Sequence, residues 1–235
     1  MSSRVLLAFC VLLGALIFGW LAWSGFSSPR LLGEASVPAP VPIIDKRPVA
    51  FASRTFDPAA PPADMPPLTA NESAECDSQF LSSASVRGES RPTDATHATV
   101  TITQIKVTLQ LNITIWVPTG GTQHVIEHED GHRQVSEYYY QTADQLAEHI
   151  AATYMGKQVE ITGTDLGAES SKMLQQMAAA ITDEYNKELN PGPAQLLYDS
   201  ITDHGRNEVV VKDAVAHALK NTTIESTQPA TNPGN

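Results

Sequence analysis

The chain is short of cysteine and of positive charge. Only Cys10 and Cys76 occur in its 235 residues. Cys10 lies in an apolar N-terminal run and Cys76 stands alone beyond it, so no intramolecular disulfide is available to an exported domain. Lys and Arg total 15 against 26 Asp and Glu, a formal net charge of −11. No basic cluster appears anywhere, which excludes a nucleic-acid-binding face. No internal repeat is visible either.

Long uncharged runs are confined to one place. From Val5 to Ala22 every residue is apolar or Gly, a length that can cross a bilayer. Behind Arg4 this reads as a signal anchor or a cleaved signal peptide. Ala22-Trp23-Ser24 before Gly25 is a poor cleavage site, which favours the anchor, residues 1–25. Residues 26–74 are rich in Pro, Ala and Ser, with prolines from Pro38 to Pro67. Such a composition buries little apolar surface, and the segment reads as a semi-extended tether. A polar tail, 221–235, is read as disordered. The folded unit is then 75–220, enough for a single core.

Within that unit, Ile105, Val107, Leu109, Leu111, Ile113, Ile115 and Val117 alternate with mostly polar residues. Period two with β-branched enrichment predicts a strand. Val100 and Ile102 keep the opposite phase, which predicts a turn or bulge near Gln104. Pro118-Thr119-Gly120-Gly121 ends the strand, and Thr122 is a suitable N-cap for a helix. Helical periodicity then runs from Gln123 to Tyr154, as one helix or two, with Gly156 as its stop. Val159 and Ile161 predict a short strand. Further helices are expected at 167–189, with Met173, Leu174, Met177, Ile181 and Tyr185 inward, and at 207–219, with a helical turn near 194–200.

Chemistry is specified by His128-Glu129-Asp130-Gly131-His132, a His-Glu-x-x-His pattern. Four residues apart on a helix, His128 and His132 share a face. Two imidazoles so placed can bind one Zn²⁺. Such an ion polarises a scissile carbonyl and acidifies water, and Glu129 beside it can act as general base. A solvated surface helix would also account for two histidines, but the motif follows directly on the patterned strand, and Val125, Ile126, Val135 and Tyr139 flank it at helical spacing. Gly131 costs about 1 kcal/mol relative to Ala, and a close backbone approach near the metal would account for it.

A catalytic zinc needs a third protein ligand. No His lies six residues after His132, which excludes the metzincin arrangement. Glu148, Glu160 and Glu169 are available as glutamate ligands. His149 lies far along the helix, His124 one turn before His128, His97 ahead of the strands and His217 on a helix surface. His204 sits in a turn-rich segment before Gly205, where a loop can bring its ring to the metal.

The strand block, then His128, Glu129, Gly131 and His132, then Tyr198, Asp199, Thr202, His204 and Gly205 resemble a bacterial family of secreted zinc-dependent proteases, domain of unknown function nine-two-two. The resemblance covers about 95–218, and only Pro118 to Gln123 joins strand to helix where a longer connection is expected. It implies a zincin-like domain with His204 as third metal ligand. In that arrangement the Tyr198 hydroxyl stabilises the oxyanion.

The expectation is therefore an α+β, zincin-like protein. A small antiparallel sheet packs on the motif helix with further helices, behind an N-terminal transmembrane helix. Its function is expected to be that of a zinc metallopeptidase tethered to the bacterial inner membrane by a single pass. The domain would face the periplasm or extracytoplasmic space, with secretion after signal cleavage as the alternative. Its partners would be a peptide or protein substrate in the cell envelope and the membrane, with no nucleic acid. The competing expectation is a non-catalytic envelope protein of the same fold that binds metal or a partner.

Overall fold

The computed structural model describes residues 40–68 and 72–227. The anticipated anchor, Val5 to Ala22, lies outside the described residues. Among the described residues, no helix is long and apolar enough to cross a membrane. The strands are Ile43–Lys46 (β1), Ala50–Phe56 (β2), Glu75–Pro92 (β3), His97–Pro118 (β4) and Gln158–Thr162 (β5). The helices are Gln123–Gln141 (α1), Ala143–Tyr154 (α2), Leu166–Glu188 (α3), Gly192–Thr202 (α4) and Val211–Thr227 (α5). The α+β class holds.

β4 is the spine. β3 pairs antiparallel along nearly its whole length, from Pro92↔Ala98 to Glu75↔Trp116. A strand has two edges, so β4's remaining partners must share the other one. There β5 pairs antiparallel with 97–101, β1 parallel with 106–109 and β2 parallel with 112–118. The five strands thus make a sheet three strands wide. It is mixed, not the purely antiparallel sheet expected, because the two strands that run parallel come from the segment read as a tether.

That segment is the main correction to the domain boundaries. The 26–74 linker was read from its prolines, yet Ile43–Lys46 and Ala50–Phe56 are sheet strands, and Phe56 is buried. Proline is tolerated on a sheet edge, where no second neighbour needs its missing N–H. Pro48 falls in the gap between β1 and β2, interrupting the edge without breaking the sheet. Lys46 Nζ then clamps the edge to the helices, donating to the Gln141 carbonyl at 2.6 Å and to Asp144 at 2.7 Å. At the other end, α5 continues past Asn221 to Thr227, so the tail expected from 221 begins later.

The phase slip in β4 is a bulge. Arg87 faces Gln104 and Gly88 faces Ile102, leaving Thr103 as the extra residue. Ile102 before it and the alternate residues from Ile105 to Ile113 after it therefore share one core despite their opposite parity, and Val100 packs with Ala98 and Ile161 in a smaller cluster. That core is closed by Ala147 and Ile150 of α2 and Ile181 and Tyr185 of α3. Each such aliphatic side chain contributes roughly 1.5–3 kcal/mol on burial. A second cluster, with Val135 of α1, Tyr198 of α4 and Ala214 and Ala218 of α5, packs α4 and α5 on α1. This second cluster positions the site.

Candidate metal centre

α1 starts where expected: the Thr122 side chain accepts from Val125 N at 3.3 Å. The helix places His128 and Glu129 among its buried residues, each 5% exposed. Its motif face looks onto α4 and onto the first residues of β3. Ser136 Oγ donates to Ser78 Oγ at 2.9 Å, which sets α1 against β3.

α4 supplies the other half. Its Asp199 Oδ1 lies 2.9 Å from His132 Nε2 and 3.5 Å from His128 Nε2. His128, His132 and Asp199 form one group whose donor atoms all lie within 4.8 Å of one another. Donors around one tetrahedral ion at ordinary bond lengths lie roughly 3.4 Å apart, so these three fit a zinc-sized cation. The His132 ring is oriented from behind. Its Nδ1–H donates to Gln195 Oε1 at 2.6 Å, and Gln195 Nε2 donates to the His132 carbonyl and to Ser136 Oγ. The amide orientation follows from these contacts, and it leaves Nε2 as the ring nitrogen turned toward Asp199, an arrangement that suits a metal-binding histidine. Sequence reasoning missed Gln195; a lone Gln in a helix carries no signal.

The electrostatics are those of an anionic pocket. Hydrogen bonds from the two histidines outweigh the opposing effect of burial and hold the Asp199 carboxyl well below the usual carboxylate range. Burial opposes charge on the His132 ring, but the hydrogen bond and charge of Asp199 prevail and raise its pKa. Burial pushes the Glu129 carboxyl up to about 8; the nearby His132 opposes this, and Glu75, Glu72 and Asp199 add to it. Burial and Glu72 likewise raise Glu75. The cavity beside the motif measures about 360 Å³ and carries five acidic side chains, Glu72, Glu75, Asp77, Glu129 and Asp199. No Lys or Arg lines it. A divalent cation is what such a surplus of negative charge suits.

His204 and Tyr198, the expected third ligand and oxyanion donor, both lie next to this group. His204 does not join His128 and His132 in one group. It lies just past the C-cap of α4 with left-handed backbone (φ 54°), and its Nδ1 stands 3.8 Å from both Glu72 Oε1 and Asp199 Oδ1. Asp199, five residues earlier on α4, is the donor nearer the two motif rings. Tyr198 is fully buried, and its hydroxyl donates to the His128 carbonyl at 3.1 Å. Its ring stacks on His128 at 5.2 Å and meets His132 edge-on at 4.8 Å. The hydroxyl is thus engaged on the helix backbone, and Tyr198 is not among the residues that line the cavity.

Gly131 has its reason in the same tyrosine. A Cβ there would fall on the hydroxyl end of the Tyr198 ring. The close approach is therefore by a side chain, not by another backbone. Gly205 also packs on His128: its φ is 71°, and a Cβ would lie 2.8 Å from His128 Cγ. Of the alternative ligands, Glu148, His149, Glu160 and His217 are exposed, and Glu169 lies against Gly163. His97 pairs with Asp94 at 2.8 Å, and His124 lines a separate cavity with Arg206 and Val210.

No family model, curated protein or solved structure matches this chain.

Proposed function

We propose that the protein is an exported zinc metallopeptidase, with His128, His132 and Asp199 holding the ion and Glu129 as general base. The observation that carries this is the buried convergence of two motif imidazoles on one carboxylate, with the His132 tautomer set by Gln195. When bound, zinc supplies Lewis-acid polarisation of a carbonyl and acidifies water. Glu129 sits beside the donor atoms and lines the cavity, where it accepts the proton of the attacking water and returns it to the leaving amine. Its raised pKa matches that exchange of roles, and an adjacent cation pulls it back toward the ionised form. Tyr198 and Gly205 both pack against the His128 ring.

A peptide is the substrate class the cleft suits. Residues Glu75–Phe80 of β3 run along the cavity, and among the described residues this strand pairs with β4 alone. Its second edge can take up an extended chain through main-chain hydrogen bonds. The resemblance to the secreted zinc-dependent proteases points the same way, and the apolar run at Val5 to Ala22 suits a tether to the bacterial inner membrane with the domain outside. Elemental analysis with hydrolysis of an unstructured protein tests the assignment. His128→Ala and His132→Ala are expected to lose zinc. Glu129→Gln is expected to keep zinc and lose hydrolysis at least a hundredfold. A metal-free wild type, or full activity in Glu129→Gln, refutes it.

A further inference from the structure

Asp199 belongs to two groups of donors, not one. Besides the set with His128 and His132, a second set is Glu72, Asp199 and His204, again with donor atoms within 4.8 Å of one another. We propose that this second set binds a second divalent cation, so that Asp199 bridges a two-ion centre.

Three observations carry it. The first is distance: His204 Nδ1 lies 3.8 Å from Glu72 Oε1 and 3.8 Å from Asp199 Oδ1. That is too long for hydrogen bonds and close to the roughly 3.4 Å between donors around one ion. The second is the state of the ring. His204 Nδ1 is itself buried and has no hydrogen-bond partner among the described residues, although the side chain as a whole is 32% exposed. A buried imidazole nitrogen facing two carboxylate oxygens at ligand spacing is poorly served by the protein alone. The third is charge. Five acidic side chains line the cavity and no Lys or Arg does, so one divalent ion leaves a deficit that a second reduces.

The donor set, one imidazole and two carboxylates, suits zinc, manganese or cobalt in preference to soft-ligand metals. Shared carboxylates hold paired ions about 3.5–4 Å apart in two-metal hydrolases, where the second ion clamps the oxygens of the displaced group. His204 and Glu72 are more open than His128, at 32% and 20% against 6% side-chain exposure. The second ion is therefore the weaker and the faster to exchange.

The proposal rests on His128 and His132 holding the first ion, and its test separates the two. The full-length chain, stripped with a chelator, is titrated with Co²⁺ followed by visible absorption, and reloaded with Zn²⁺ for elemental analysis. Wild type is expected to bind two equivalents in two phases. Glu72→Gln and His204→Ala are each expected to bind one, with the tight phase and its spectrum retained. One equivalent in wild type overturns the second site and leaves the first standing, even if His204→Ala weakens that one ion. Two equivalents retained in either variant also overturn it. No metal in wild type removes both sites.

Discussion

Gly131→Ala is the substitution whose sign depends most on the packing of the site. In an exposed helix interior the change stabilises by about 1 kcal/mol, because alanine loses less conformational freedom than glycine. Here the new methyl meets Tyr198, a side chain with no exposed surface, at its hydroxyl, its Cζ and, at 3.0 Å, its Cε2. The ring cannot step aside freely, since it packs on His128 and His132. Overpacking of this kind costs about 1–3 kcal/mol. Moving the ring also breaks the hydrogen bond to the His128 carbonyl, and the buried Tyr198 hydroxyl left without a partner costs about 1–3 kcal/mol. Set against the propensity gain of about 1 kcal/mol, the net destabilisation is about 1–5 kcal/mol, a fall in Tm of about 2–20 °C for a domain of this size. The displaced ring also releases His128, so zinc affinity is expected to fall at least tenfold. Calorimetry and competition with a chromophoric chelator measure the two effects. In a Tyr198→Leu background the cost of Gly131→Ala is expected to shrink, the non-additivity of residues in contact. A rise in Tm on Gly131→Ala alone would mean that helix propensity is all that operates there, and the packing assigned to Tyr198 would be wrong.

Three further outcomes follow from named contacts. Gln195→Leu removes the acceptor of His132 Nδ1–H and is expected to lower zinc affinity 10–100-fold with unchanged far-UV circular dichroism; unaltered affinity would separate Gln195 from the centre. Cys76, whose thiol burial pushes from 9.0 up to about 12, is expected in a Cys10→Ser background to react with a disulfide reagent at pH 8 roughly a thousandfold more slowly than an open thiol, through its smaller thiolate fraction. The rate should climb about tenfold per pH unit, and reaction at the open-thiol rate in the native protein would contradict the burial. A chain begun at residue 58 loses β1 and β2, exposes the second edge of β4, and is expected to aggregate or melt without cooperativity. A chain begun at residue 40 is expected to melt as one unit, and equal behaviour of the two would return 40–57 to the status of a tether.

The spine of the fold was legible because β4 is covered on one face by the core, and its alternation is strict enough to show even the one-residue bulge at Thr103. β3 was not legible, although it is nearly as long. Its core-facing positions include Ser78, Ser82 and Ala84 beside Phe80 and Val86, and serine does not register as apolar in any period-two count. The serines are there for contacts made across the fold: Ser78 meets Ser136 of α1, and Ser82 donates to Asn186 of α3 at 2.6 Å. β1 and β2 were hidden for another reason. A strand on one edge needs neither a long apolar run nor freedom from proline, and the prolines at 42 and 48 dominated the composition around them.

The segment from Tyr198 to Gly205 shows how a motif can mark a site without ranking its members. Tyr198, Asp199 and Thr202 sit on α4, with Tyr198 and Asp199 on the part that faces α1. Thr202 Oγ1 donates to the Tyr198 carbonyl at 2.8 Å, bracing the helix end before the chain turns left-handed at Asp203, His204 and Gly205. That turn is tight because Gly205 must lie flat on His128. Spacing along the chain therefore encodes how α4 docks on α1. It does not say which donor reaches the histidines first. His204 has the residue type a third ligand commonly has, but Asp199 is the donor that lies 2.9 Å from His132 Nε2 and 3.5 Å from His128 Nε2. His204 Nδ1 lies 3.8 Å from that same oxygen, Asp199 Oδ1, and 3.8 Å from Glu72 Oε1. An aspartate between three imidazoles is the one residue whose loss removes a donor from both groups at once. Asp199→Asn, which keeps the shape and one neutral oxygen, is accordingly expected to weaken the His128–His132 ion and abolish the second, whereas His204→Ala touches only the second. Equal loss of both ions in His204→Ala would place that histidine in the first group after all.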